Sequence, residues 1–179
     1  LFTRPADLFW HPASADDLRM FYREIDPPLT RYLIGSSITI TGQAAPEQDW
    51  DWSKSWPENQ ATGALLSVNV LLISRMGVAF LFPFSLFLAY LIGKNLKSSA
   101  LGWLNMGLLA INPLVLIHTR RAMAESALLF GILLTLWGTI SWRRQRFWLA
   151  IPAALAFNAK YSALPLALIG LTAVFWNFS

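Results

Sequence analysis

Between Arg75 and Lys94 the chain runs for 18 residues without a charge, "MGVAFLFPFSLFLAYLIG". An α-helix rises about 1.5 Å per residue, and about 20 residues cross the hydrocarbon core of a bilayer. Backbone in lipid must satisfy its own polar groups, so a run of this kind is built as a membrane helix. The apolar stretch begins earlier, near Leu65, with Arg75 inside it and Pro83 placed to kink it. Membrane helices tolerate such a proline.

Further runs follow. "SSALGWLNMGLLAINPLVLI" (98–117) has 20 uncharged residues, with Asn112-Pro113 expected near its end. "SALLFGILLTLWGTISW" (126–142) has 17. The last, "FWLAIPAALAFNAKYSALPLALIGLTAVFWNF" (147–178), carries the single charge Lys160, so it reads as two segments with a turn at Asn158-Ala159-Lys160. Spans are therefore expected near 65–93, 98–117, 122–142, 147–158 and 161–178, making 65–179 the transmembrane helical region.

The charges fall the other way. Charged residues make up only 13 % of the chain, against 55 % hydrophobic, well below the usual quarter. Nine of the ten carboxylates lie before residue 59, and the tenth is Glu125. Residues 1–64 thus read as a polar, water-facing loop. The net charge of +4 comes from short basic clusters between apolar runs, where membrane proteins keep topological signals, so nucleic acid is not an expected partner. There is no cysteine for a disulfide or thiolate site, and two histidines make a histidine-rich metal centre a poor fit. The chain opens on Leu1 with no charged leader and stops after an apolar run, which reads as an internal fragment of a longer protein.

Within the outer segment, "SADDLRMFYREI" (14–25) fits an amphipathic surface helix. Ser14 would cap it, Asp16 and Asp17 would suit its dipole, and Leu18, Phe21, Tyr22 and Ile25 would share one face. Pro27-Pro28 ends it. "LTRYLIGSSITITG" (29–42) is apolar enough to touch the bilayer or the bundle. Residues 46–63 read as a loop whose Trp50, Trp52 and Trp56 either form an interfacial belt or stack on a sugar ring. The expected fold class is all-α: a multi-span transmembrane helical bundle with a polar outer loop carrying short amphipathic surface helices.

Loop charges set the orientation. Lys94 and Lys97 follow the first span, and Arg143, Arg144 and Arg146 follow the third, so these loops share the inner face. Residues 1–64, the 118–125 loop and the turn at Lys160 then face outward. Arg120, Arg121 and Lys160 break the positive-inside bias there. Beside them stands Glu125, four residues after Arg121, a spacing that would pair the two on one helix face. The alternatives are basic residues that snorkel to headgroups and a plain intrahelical ion pair. An ionisable group at membrane depth otherwise marks function.

The order of segments resembles a known family. "DPPLTRYLIG" resembles the His/Lys-Pro-Pro-Leu elbow of polytopic C-superfamily glycosyltransferases, among them dolichyl-phosphate-mannose protein mannosyltransferases and bacterial aminoarabinose transferases. "SRMGVAFLFPFSLFLAYLIGKNL" is similar to their arginine-led span, "NPLVLIHTRRAMAESALLFGILLTLW" to their "sP…sR.am.D" stretch, and "ALAFNAKYSALPLAL" to their "al.tKysal" segment. The resemblance implies transfer of a sugar from a polyprenyl-phosphate donor to an acceptor hydroxyl on the outer face, with inversion. It makes Asp26 and Glu125 the catalytic candidates. Arg31, Arg75, Arg120, Arg121 and Lys160 would hold the donor phosphate, and Trp50, Trp52 and Tyr161 would stack on sugar or acceptor. The substrate is the lipid-linked sugar and the acceptor a protein, lipid or glycan. No cofactor is assigned, a divalent metal remaining open, and the expected place is the bacterial plasma membrane.

Two positions depart from the family pattern. Asp26 stands where His or Lys is usual. No carboxylate fits the family's Asp-Glu pair, so the general base and the first span are expected upstream of Leu1. Two readings from other classes remain: a polytopic transporter or channel subunit, with charges running to mid-membrane, and a non-enzymatic scaffold whose tryptophans bind a partner. No Walker loop, GxGxxG, HExxH or GxSxG pattern is present.

Overall fold

The computed structural model describes residues 29–43, 51, 53–65, 67–121, 124–141, 146–165 and 168. The predicted 14–25 helix, Asp26, Trp50 and Trp52 lie outside them, as does most of the 161–178 span. All described secondary structure is helical. α1 spans Leu29–Ile40, α2 Trp56–Ala61, α3 Val68–Ala79, α4 Leu81–Leu96, α5 Ser99–Ile111, α6 Pro113–Thr119, α7 Ala124–Ser141 and α8 Ala150–Ala159. Short 3-10 turns cover Arg146–Leu149 and Tyr161–Ala163.

The first apolar run forms α3 and α4, which continue one into the other as a 29-residue apolar helix, Val68–Leu96. Its ladder is interrupted at Phe80, whose backbone stays helical at φ −56° and ψ −25°. Pro83 explains the interruption: it has no N–H to give the carbonyl four residues back, Ala79, and its ring crowds that carbonyl. α7 is the second apolar helix long enough to cross a membrane. The expected span at 98–117 differs. Here α5 and α6 meet at Asn112 with a bend of 65°. Asn112 closes α5, and its Oδ1 accepts from the N–H groups of Leu114 and Val115 to start α6 at once. Pro113 sits at the first helical position, where its missing N–H costs nothing. A helix end read from the sequence is thus a corner between two helices.

α1 was not legible as a helix. Its Ser and Thr residues favour other conformations in isolation, but Ser36, Ser37 and Thr39 fold their hydroxyls back on the helix: Ser37 to Ile34 O at 2.8 Å, Thr39 to Gly35 O at 2.8 Å. So satisfied, α1 packs on α3, where Ile34, Ile38, Val70 and Val78 form a buried cluster. Gly77 admits the contact. A Cβ there would meet Ser37 Oγ at 2.5 Å.

Small residues likewise set the other crossings, as expected where lipid removes any hydrophobic drive between helices. Gly93 and Gly102 bring α4 and α5 together, so that a Cβ on Gly93 would lie 2.8 Å from Gly102 Cα. On α7 the buried stripe is Ser126, Ala127, Gly131, Thr135 and Gly138. It meets Pro152, Ala153 and Ala156 of α8, and a Cβ on Gly131 would meet the Ala156 backbone at 2.8 Å.

One hydrogen bond fixes the relative direction of the long helices. Asn95 Nδ2 donates to Ser141 Oγ at 2.9 Å, so α4 and α7, packed side by side, end together. The last turn of α4, with Lys94, and the last turn of α7 therefore share one end of the bundle. From Ser141 back to Glu125 is about 24 Å at about 1.5 Å per residue. The return path, a 3-10 turn and α8, also covers about 23 Å. Short as it is, α8 thus brings Lys160 back to the level of Glu125.

Candidate functional site

Glu125 lies in the first turn of α7 and Lys160 follows the last residue of α8. Lys160 is extended, with φ −159° and ψ 132°, which stops α8 and turns the side chain toward α7. Its Nζ donates to Glu125 Oε1 at 3.0 Å. The carboxylate is partly sheltered, 29 % exposed, and the ammonium 47 % exposed. The pair joins residues 35 positions apart at the end of the bundle opposite Asn95 and Ser141.

Below this pair, between α6 and α7, is a cavity of about 240 Å³. Leu114, Val115, Leu128, Leu129 and Ile132 line it together with His118, Thr119 and Glu125, and its surface is almost wholly apolar. Glu125, Leu128, Leu129 and Ile132 share one face of α7 by helical spacing. The 65° bend at Asn112 swings α6 across to supply the opposite wall. Thr119 is turned back on its own helix, donating to Val115 O at 2.8 Å. His118 Nδ1 is buried and has no hydrogen-bond partner. A second cavity of about 370 Å³ lies between α1 and α8, lined by Leu29, Tyr32, Ile151, Ala154, Leu155 and Asn158. It sets the start of α1 alongside α8, whose lining residues run from Ile151 near its beginning to Asn158 near its end.

The remaining predicted site residues fall as follows. Arg31 is half-buried in the first turn of α1, next to the Tyr32 that lines the second cavity. Arg120 and Arg121 are exposed after α6. The expected Arg121–Glu125 pair does not form: α7 starts at Ala124, so no continuous helix carries the two, and Lys160 takes the carboxylate instead. Arg75 is exposed on α3, flanked by the exposed Leu72 and Met76. Counting along α4 and α3 from Asn95, it lies about 6 Å beyond the level of Glu125, for near-parallel axes. That places it at the rim and not at mid-bundle. Tyr161 is half-exposed, its ring tilted against Phe157 with centroids 5.3 Å apart. Among the described residues no group of three or more His, Asp or Glu side chains gathers as a metal site. His118 was not singled out in the sequence, although an ionisable side chain at the end of a 20-residue uncharged run is itself a signal.

Apolar helices long enough to span a bilayer define an integral membrane protein, and the Glu125–Lys160 pair lies at one end of its bundle. A family model described as dolichyl-phosphate-mannose-protein mannosyltransferase matches residues 17–177, and the chain belongs to this family. It is a family of membrane glycosyltransferases that use a lipid-linked sugar donor. Searches of curated proteins and of solved structures found no match.

Proposed function

We propose that the protein transfers a sugar from a polyprenyl-phosphate donor to an acceptor hydroxyl on the outer face of the plasma membrane, with inversion at the anomeric carbon. The observation that carries this reading is the Glu125–Lys160 pair at the mouth of an apolar cavity. An amphiphilic donor needs that combination: apolar walls for the chain, and positive charge where chain gives way to phosphate.

In the reaction the acceptor oxygen attacks the anomeric carbon from the face opposite the phosphate. The carbon–oxygen bond to the phosphate breaks, and the electron pair leaves with the lipid phosphate. Negative charge grows on that phosphate, and fixed cations stabilise it more than they stabilise the ground state. Lys160 keeps N–H groups beyond the one given to Glu125, and Arg120, Arg121, Arg31 and Arg75 are candidates for the same end. Glu125 serves by orienting Lys160. The acceptor proton goes to a carboxylate outside the described residues, for which Asp26 is the candidate within the chain. Trp50, Trp52 and Tyr161 are the candidates for stacking on the sugar or acceptor, with residues 1–64 on the outer face.

The test is release of polyprenyl phosphate from a radiolabelled lipid-linked sugar by the full-length gene product in nanodiscs. Turnover in the wild type and its loss in Lys160→Ala support the reading. A wild type that turns over no lipid-linked sugar, or a Lys160→Ala variant at the wild-type rate, removes it.

A further inference from the structure

The long helix formed by α3 and α4 carries a charge on its exposed side. Leu72, Met76, Phe80, Phe84 and Phe87 are all exposed, and their spacing puts them on one face. Val70 and Val78, on another face, pack against α1. Arg75 stands in the exposed face between Leu72 and Met76, and among the described residues it has no ion pair. Its depth is telling. Arg75 and Lys94 are about 28 Å apart along the helix, close to the roughly 30 Å of a hydrocarbon core. The exposed apolar side chains run inward from Met76 to Phe87, about 16 Å, the depth of one leaflet. There they stop. From Leu88 to Gly93 no residue is exposed, and α5 crosses this stretch at Gly93 and Gly102.

We infer that this face holds a phospholipid of the bilayer, in the leaflet at the Glu125–Lys160 end: Arg75 pairs with its phosphate, and an acyl chain lies along Met76, Phe80, Phe84 and Phe87. The inference does not rest on the donor reading, and it assigns Arg75 to the bilayer and not to the donor. Charge decides the occupant. An apolar helix on this face would enclose the guanidinium among leucine, methionine and phenylalanine, and a charge taken out of water without a partner is costly. A phospholipid instead offers phosphate at the depth of the guanidinium and hydrocarbon below it. Two parallel N–H groups of an arginine match two phosphate oxygens. Phe80 and Phe84 meet edge to face with centroids 5.2 Å apart, so the chain meets a packed pair of rings. The contact also sets a height. Glu125 lies about 6 Å inward of Arg75, so an anchored Arg75 keeps the Glu125–Lys160 pair just beneath the phosphates.

The test places the full-length protein in phosphatidylcholine nanodiscs with trace phosphatidylglycerol or diacylglycerol, both carrying the same diazirine acyl chains. After irradiation, mass spectrometry reads the labelling of residues 76–87. The control is the stretch 103–111, whose exposed Trp103, Leu104, Leu108 and Ile111 carry no charge. The expected ratio of phosphatidylglycerol to diacylglycerol labelling in the wild type is about 5-fold higher on 76–87 than on the control. It should fall to the control ratio in Arg75→Gln, stay above it in Arg75→Lys, which keeps the charge, and be unmoved by an equal amount of farnesyl phosphate. A wild-type ratio equal to the control, or an unchanged ratio in Arg75→Gln, overturns the inference. So does a 76–87 stretch that neither lipid labels, which would mean that protein covers the face. Loss of the preference on adding farnesyl phosphate gives Arg75 back to the donor and also overturns it. A protein that turns over no lipid-linked sugar removes the donor reading and leaves these ratios as they are.

Discussion

Lys160 Nζ meets Glu125 Oε1 at 3.0 Å, closing the gap between the end of α8 and the start of α7. The pair is too exposed to hold the bundle together. Half-exposed ion pairs are screened by water and contribute about 0.2–1 kcal/mol. Its replacement should therefore separate stability from activity. Lys160→Ala should lower turnover of a lipid-linked sugar by about 100-fold, the scale of losing one stabilising group for a developing anion. Its unfolding temperature should stay near that of the wild type. Glu125→Gln should fall less far, because an unoriented Lys160 keeps its charge, and the double variant should lose less than the sum of the two. A large drop in unfolding temperature with Lys160→Ala would make the pair structural.

Gly131 gives a sharper test of what positions that pair. A side chain there would enter the Ala156 backbone, which belongs to another helix and cannot rotate away. Gly131→Leu should cost about 1–3 kcal/mol as overpacking, separate α7 from α8 and abolish activity through the displaced Lys160. Gly107 is the control. Nothing lies within 4 Å of a Cβ on it, so Gly107→Ala should be neutral or stabilise by up to about 1 kcal/mol. Thermal unfolding of the two variants in matched detergent would decide, and equal behaviour would remove the close crossing.

These two residues also mark how far the sequence could be read. The long helices were legible because lipid allows little else to an uncharged run, and the shared end of α4 and α7 was legible from Lys94, Lys97 and the arginines after residue 142. The family resemblance came from residue order along "IDPPLTRYLIG" and "NPLVLIHTRRAMAES", and the family match covers both. The partner of Glu125 was not legible. A spacing of four suggests Arg121 only if one helix carries both residues, whereas the actual partner is set by a glycine–alanine crossing between helices. The bend at Asn112 was equally hidden, since apolar content does not change at a corner. Asp26, Trp50 and Trp52 lie outside the described residues.

The 51–64 loop carries a prediction about pH. Asn59 is fully buried and is its hub: Oδ1 accepts from Asp51 N–H at 2.8 Å, and Nδ2 donates to Asp51 O at 2.9 Å and to Lys54 O and Ser55 O at 3.2 Å. Two exposed carboxylates flank it. The Ser53 hydroxyl and N–H, with Lys54, hold Asp51 below its ordinary value, and the Ser55 hydroxyl and N–H do the same for Glu58. Both acids are lowered on folding, so their contribution is present above the ordinary carboxylate range and is lost as pH falls through the lowered values. Trp56 fluorescence should therefore hold constant through neutral pH and change on acidification below that range. Glu58→Gln should remove part of the transition and shift none of the neutral signal. Asn59→Asp, which cannot donate to three carbonyls, should expose the loop to proteolysis at every pH.

The corner at Asn112 should control the cavity without touching a ligand. Its Oδ1 caps α6, and α6 carries Leu114, Val115 and His118 into the cavity wall. Replacing a cap of this kind costs about 1 kcal/mol, and here the loss falls on a helix of seven residues that has little else to hold it. Asn112→Leu should therefore leave α5 and the bundle folded, loosen α6 and raise the KM for a lipid-linked sugar several-fold, with a smaller change in kcat. Asn112→Asp keeps an oxygen acceptor at the same place and should retain the wild-type KM. If Asn112→Leu and Asn112→Asp behave alike, the cap does not set the wall, and the position of α6 must come from its packing on α7 alone.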